Sequence, residues 1–195
     1  LYHLSRERLG RLVFPLGGLT KAEVRSQARE FGLPVAAKAE SQEICFVPRG
    51  RTAEYLSSRL PVVAGEVVDG SGRRVGAHRG AALYTVGQRT GLLDLTVPGP
   101  WFVRSVDAGS NRLVVGRRED LATSEVRLRE VSFVDGAVEG PLECEARLRY
   151  HAPPLPAVYA DGVLRLREPF YGAAPGQAAV LYAGTRVLGG GIIAG

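Results

Sequence analysis

From Val62 to the C-terminus the sequence is a succession of short runs rich in β-branched and aromatic residues, cut at close intervals by turn residues. The runs are "EVVDGSGRRVG", "ALYTVG", "WFVRSVDAGSNRLVVG", "VRLREVSFV", "LECEARLRY", "AVYADGVLRLRE" and "AAVLYAGTRVLGGGII". Strands and turns at this spacing point to small antiparallel barrels. The polar stretch "RREDLATSE", residues 117–125, follows a completed hairpin and places a boundary near residue 119. The glycines of "VLGGGII" mark close backbone approach within a strand rather than a ligand loop.

The N-terminal part has a different texture. Thr20 and Glu23 form a capping box, Leu19 and Val24 stand as its hydrophobic staple, and Val24, Ala28 and Phe31 recur at helical spacing until Gly32 and Pro34. Shorter helices are expected from about Ser5 to Leu12 and from Thr52 to Leu60, where Pro61 ends the second. The expected fold class is α+β: a helical segment over 1–48, a small central, mostly β domain over 49–118, and an antiparallel β-barrel over 119–195.

Composition narrows the function classes. The 195 residues are 45% apolar and 23% charged, which is ordinary for a globular chain with a real core. No apolar run reaches the length of a membrane span and no signal-peptide pattern is present, so the cytoplasm is expected. The chain has no methionine and opens on "LYHLSRERL", which reads as a fragment. The net charge of +5 is uneven: residues 49–118 carry 11 basic and 5 acidic side chains, making this third the candidate polyanion surface. Of the 25 basic residues all but Lys21 and Lys38 are arginine, the side chain suited to phosphate and base contacts, although a GC-rich genome produces the same bias.

Two cysteines in unrelated surroundings match neither a disulfide framework nor a zinc site. Alternation places Cys144 on one strand face with Ala146, Leu148 and Tyr150, as a small core residue. Cys45 sits in "ICFV", an apolar patch between two helices. Lys38, Arg49 and Arg51 would lower its pKa and Glu40 and Glu43 would raise it, so the residues leave both packing and a reactive thiol open, with composition favouring packing. His3, His78 and His151 have no metal-ligand spacing, and no metal site is expected. The loop in "YTVGQRTGL" carries Gln88 and Arg89 and has two readings, an RNA contact or a simple turn.

Taken in register, "VFPLG" (13–17), "TKAEVRSQAREFGLPVAAKAESQEICFV" (20–47), "GAHRGAALYTVGQRTGL" (76–92), "PWFV" (100–103) and "APGQAAVLYAGTRVLGGGII" (174–193) resemble the bacterial tRNA-specific 2-thiouridylases over nearly the whole chain. The resemblance implies an enzyme that replaces the 2-oxygen of the wobble uridine of certain tRNAs with sulfur. ATP, with Mg, activates that oxygen by adenylation and a protein persulfide delivers the sulfur. In the family the ATP loop and a first cysteine belong to an N-terminal domain, and no "SGGVDS"-like loop occurs here, so this stretch alone is expected to be inactive. Cys45 falls on the family's second, persulfide-carrying cysteine, which its partner cysteine would resolve as a disulfide. Arg149, Tyr150 and Gln177 fall on tRNA contacts. The implied partners are tRNA and a sulfur donor, either a cysteine desulfurase or a sulfur-relay protein. Glu40, Thr90, His151 and the short loop from Gly91 to Pro100 depart from the family pattern. The rival reading is a barrel module that binds RNA or a translation factor and merely packs Cys45.

Overall fold

The computed structural model describes residues 1–38, 46–47, 50–60 and 62–194. Among these residues three short helices come first: α1 (Arg6–Leu9), α2 (Lys21–Glu30) and α3 (Thr52–Ser57). Ten strands follow among the described residues: β1 (Gly65–Val68), β2 (Arg74–His78), β3 (Phe102–Asp107), β4 (Arg112–Gly116), β5 (Ala122–Phe133), β6 (Leu142–Arg147), β7 (Leu155–Ala160), β8 (Val163–Tyr171), β9 (Ala178–Ala183) and β10 (Arg186–Ile193). The α+β class expected from the sequence is the one observed.

The capping chemistry of α2 is as expected. Glu23 Oε2 accepts the Thr20 backbone N–H at 2.6 Å, and Thr20 Oγ1 accepts the Glu23 N–H at 3.4 Å. At the other end Gly32 takes a φ of +65°, and the Leu33 and Gly32 N–H groups donate to Ala28 and Arg29 at 2.8 and 3.0 Å, which closes the helix. The flanking helices are shorter than expected. α1 stops at Leu9 because Gly10 caps it, and α3 stops at Ser57; Pro61 lies outside the described residues.

β1 to β4 form an open four-stranded sheet in the order β2-β1-β4-β3, with β1 and β4 parallel. This is the small central β unit expected, although its parallel pair departs from the antiparallel barrels that the strand spacing suggested. Its core is Val67, Val75, Val103, Leu113 and Val115, closed on one side by Ala81 and Tyr84. The run "ALYTVG", read as a strand, is instead a 3-10 turn over Ala81–Leu83 followed by a loop. The Tyr84 ring closes the sheet edge-on to fully buried His78, its centroid 5.6 Å away, and its hydroxyl donates to the Gly91 carbonyl at 2.5 Å. A pleated continuation would have pointed alternate residues away from that core.

A 3-10 turn over Arg118–Leu121 leads straight into β5, so Thr123 and Glu125 of the polar stretch 117–125 are strand residues. The six strands β10-β5-β8-β7-β6-β9 close an antiparallel barrel around Leu128, Leu148, Leu164, Leu166 and Leu181. Closure removes every sheet edge. Side chains at Gly189 and Gly190 would stand 2.3 Å from the Ser132 and Ala179 carbonyl oxygens, so β10 is admitted between its neighbours because it lacks them. The ring of Tyr2 sits over Gly190, where a Cβ would come 2.8 Å from its Cδ2.

Candidate nucleic-acid interface

The pairing of Arg147 with Val180 sets the end of β6 beside the start of β9. Arg149, Tyr150 and Gln177 therefore emerge at one end of the barrel, where Ala122 pairs with Tyr171 and the chain enters from the central sheet. By parity Tyr150 belongs to the core face. The strand ends at Arg147, however, and the chain turns through an Ala152 N–H to Arg149 carbonyl bond of 3.1 Å, with His151 at a φ of +64°. Tyr150 is left 80% exposed, its ring centroid 4.0 Å from that of His151. An exposed aromatic pair is a surface on which a base can stack.

Arg149 has a second role that its strand parity did not announce. Its Nη2 donates to the Tyr171 and Gly172 carbonyls, each at 3.1 Å, and its guanidinium lies 5.4 Å from the Phe170 ring centroid. Beneath it the central sheet meets the barrel glycine to glycine. Both Gly87 and Gly172 have positive φ, and a Cβ on Gly172 would come 3.4 Å from the Gly87 Cα and 3.2 Å from Arg149 Nη2. A hollow of about 270 Å³ beside this contact is lined by Phe102, Leu121, Phe170 and Tyr171, with Arg118 and Arg149 as its charges. Arg118 stacks over the Tyr171 ring at 4.8 Å. Sequence reasoning misses Gly87, Gly172 and Arg118, for which the isolated glycines of "TVGQR" and "FYGAAPG" are the available signal.

Gln177 follows the turn in which the Gly176 N–H donates to the Ile193 carbonyl and the Gln177 N–H to the Ala174 carbonyl, at 2.9 and 3.2 Å. Its side-chain amide makes no hydrogen bond among the described residues, so the turn holds it by its backbone alone. Gln88, the glutamine of the "YTVGQRTGL" loop, is occupied: its amide accepts from the Thr85 N–H at 3.2 Å and donates to the Thr90 carbonyl at 2.9 Å. That loop turns on itself.

Several basic groups of the middle third are neutralised locally. Arg51 pairs with Glu54, Arg73 with Asp69, and Arg74 and Arg112 share Glu66. Arg117 donates to the Pro98 and Pro100 carbonyls at 3.1 and 3.0 Å and pins that loop to the linker.

Cys45 and Glu40 lie outside the described residues. Cys144 is a half-buried free thiol packed against the barrel core, and burial pushes its pKa up to about 11. Among the described residues no three His, Cys, Asp or Glu side chains are grouped to hold a metal ion, and no helix is long and apolar enough to cross a membrane.

Three family models match in succession: the tRNA methyl transferase HUP domain over residues 1–49, the tRNA methyl transferase PRC-barrel domain over 53–117, and the aminomethyltransferase beta-barrel domain over 123–193. Among curated proteins the chain is similar to the tRNA-specific 2-thiouridylase MnmA of Rhizorhabdus wittichii, 48% identical over 195 residues, which are 99% of this chain and 51% of the relative. The enzymes of the same name from a Bradyrhizobium species and from Thermosynechococcus vestitus are 45% and 42% identical, again over 99% of this chain and over 52% and 54% of their own lengths. The chain thus spans about half the length of the curated relatives it matches. The domain descriptions speak of methyl transfer and the relatives' names of thiolation. Identity sustained along nearly the whole chain is the narrower constraint, because a domain description names a module that several chemistries share. With all three domains in order and this identity across them, the chain belongs to the tRNA-specific 2-thiouridylase family.

Proposed function

We propose that this chain supplies the sulfur-carrying cysteine and much of the tRNA grip of an enzyme that 2-thiolates the wobble uridine. The observation that carries the reading is the 48% identity, over 99% of the chain, to a protein named for that activity. Arg149, Tyr150 and Gln177 are the proposed tRNA contacts. Their emergence at one barrel end, with Tyr150 exposed and the Gln177 amide uncommitted, supports that assignment. Arg149 can serve both sides at once, since only its Nη2 is bonded to the protein among the described residues.

In this reading Cys45 carries a persulfide. Its terminal sulfur attacks C2 of the adenylated uridine, AMP leaves, and a partner cysteine thiolate cleaves the S–S bond at Cys45. Thiouridine is released and the two cysteines are left as a disulfide. ATP and magnesium are proposed for the part of the enzyme beyond this chain. The start of α2, after Gly17 and Gly18, is capped by the Glu23 carboxylate, which would repel a phosphate there. The sulfur donor is proposed to be a desulfurase or a relay protein, and the compartment the cytoplasm.

The test uses the enzyme in full length, loaded with radiolabelled sulfur by a cysteine desulfurase. Cys45→Ser should lose both the labelled persulfide and thiolated tRNA. Label and product unaffected by the substitution would sink the assignment and leave the binding-module reading. For the grip, Tyr150→Ala should weaken tRNA binding roughly fivefold or more, the scale of one stacked base at about 1–3 kcal/mol. Unchanged affinity would remove Tyr150 from the interface.

A further inference from the structure

Two hollows lie along the seam beside the Gly87–Gly172 contact and share three lining residues. One, of about 400 Å³, opens between Val86 and Arg104 on the central side and Thr123, Glu125 and Arg127 of β5. The other, of about 540 Å³, runs from Thr85 and Val106 to Ala173–Pro175. Val86, Arg104 and Ala173 line both, so the two make one groove along the seam, and Gln177 stands two residues past its barrel-side end.

Arg104 reaches this place through a bulge. Val103 pairs with Val115 and Ser105 with Val114, which leaves Arg104 as the additional residue of β3. Such an insertion bends the strand and re-aims a side chain. Among the described residues neither Arg104 nor Arg127 has an acidic partner. The two carboxylates in the same hollow are engaged elsewhere: Asp120 Oδ2 accepts the Arg117 backbone N–H at 2.7 Å, and Glu125 pairs with Arg165 at 3.6 Å. Val86, Val106, Ala173, Ala174 and Pro175 make much of the remaining wall apolar, with Tyr84, Thr85 and Ser105 completing it.

Guanidiniums that make no ion pair among the described residues, beside a largely apolar wall, match a chain of phosphodiesters whose sugars and bases need somewhere to lie. The cations also recur along a path, because the hollow holding Arg118 and Arg149 continues on the other side of the glycine contact. A charge repeated along a seam fits a nucleic-acid backbone better than a single acidic side chain of a protein. We propose that the seam between sheet and barrel is an RNA groove in which Arg104 and Arg127 each hold a backbone phosphate, an inference that rests on the tRNA reading above.

The test measures binding of an unmodified tRNA transcript to the full chain by fluorescence anisotropy, across about 50 to 200 mM KCl. Losing one charge-assisted contact should weaken binding roughly tenfold. Arg104→Ala should show that loss and lower the salt slope by about one, and the double variant with Arg127→Ala by about two. Arg104→Lys should restore most of the slope. Arg167→Ala, which removes the partner of Glu143 and touches neither hollow, should change nothing. Circular dichroism checks the fold, and Arg104→Gln replaces Arg104→Ala if the bulge does not tolerate alanine. Wild-type affinity and slope in folded Arg104 and Arg127 variants would overturn the groove alone. Displacement of the tRNA by polyglutamate at lower charge concentration than by an RNA oligonucleotide would also overturn it, in favour of an acidic protein. A wild-type chain that binds no tRNA would instead fail the reading on which the groove rests.

Discussion

Tyr150 and Cys144 share a strand face by parity and end in opposite surroundings, because β6 stops at Arg147 and only the residues before that point are held over the core. Alternation was legible in "LECEARLRY"; the strand's end was not, although Pro153 and Pro154 hinted at it. For Cys144 the consequence is chemical. Burial first, and the Glu143 carboxylate after it, outweigh a backbone hydrogen bond and raise the thiol from 9.0 to about 11. Thiolate is the reactive form, so at pH 8 the native Cys144 should alkylate about a hundredfold more slowly than in the denatured chain. Peptide mapping after a timed iodoacetamide pulse reads the ratio. Equal rates in the two states would show that the thiol is not shielded. Between pH 9 and 11 the unfolded chain ionises this group while the native chain still holds its proton, so stability falls as pH rises through that window.

Among the elements, α2 was the most legible because its two ends are set by local chemistry, a side-chain cap and a glycine in the left-handed region. None of its residues is buried, so its ends carry much of its order. Thr20→Ala should cost about 1 kcal/mol of helix stability. Amide exchange should then rise several-fold within residues 21–30 and stay unchanged in the barrel. A uniform rise would mean that α2 is coupled to the core. The Thr20 hydroxyl, followed by its backbone N–H, holds the Glu23 carboxyl below its usual range. The cap is therefore complete above the ordinary carboxylate pKa and is lost as pH falls through the depressed value. The strands were legible as strands wherever the period of two was clean. The parallel pairing of β1 with β4 was not, since it joins segments far apart in the chain and leaves no local pattern. The bulge at Arg104 did leave one: Val103 is buried and Val106 half-buried at a spacing of three, which a regular strand would place on opposite faces.

At the scale of the whole molecule, the first residues of the chain are tied to the barrel near its far end in sequence. Tyr2 is 9% exposed against Gly190 of β10, the Arg6 N–H donates to the Val134 carbonyl at 2.8 Å, and Asp135 receives Arg6 at 2.6 Å and also Arg186. No sequence pattern announces this strap, because Arg6 and Asp135 are ordinary surface charges until the fold brings them together across 129 positions. The Arg6 hydrogen bond, and after it the charges of Arg6 and Arg186, hold the Asp135 carboxyl below the usual aspartate range. The ion pairs are therefore at full strength at neutral pH, persist through the ordinary aspartate range, and are released only as pH falls through the lowered value. All three partners are exposed, so salt should screen them as well. The Arg6 amide reports the strap directly, since its proton is donated to the barrel. Asp135→Asn should speed exchange of that amide several-fold at neutral pH and low salt, and should do so less in 1 M KCl, where the wild type has already loosened. Barrel amides such as Leu164 should not respond, because the triad lies outside the core they report. If the Arg6 amide exchanges at the wild-type rate in Asp135→Asn, the seating of Tyr2 over Gly190 is what holds the segment, and Tyr2→Ala becomes the substitution that frees it.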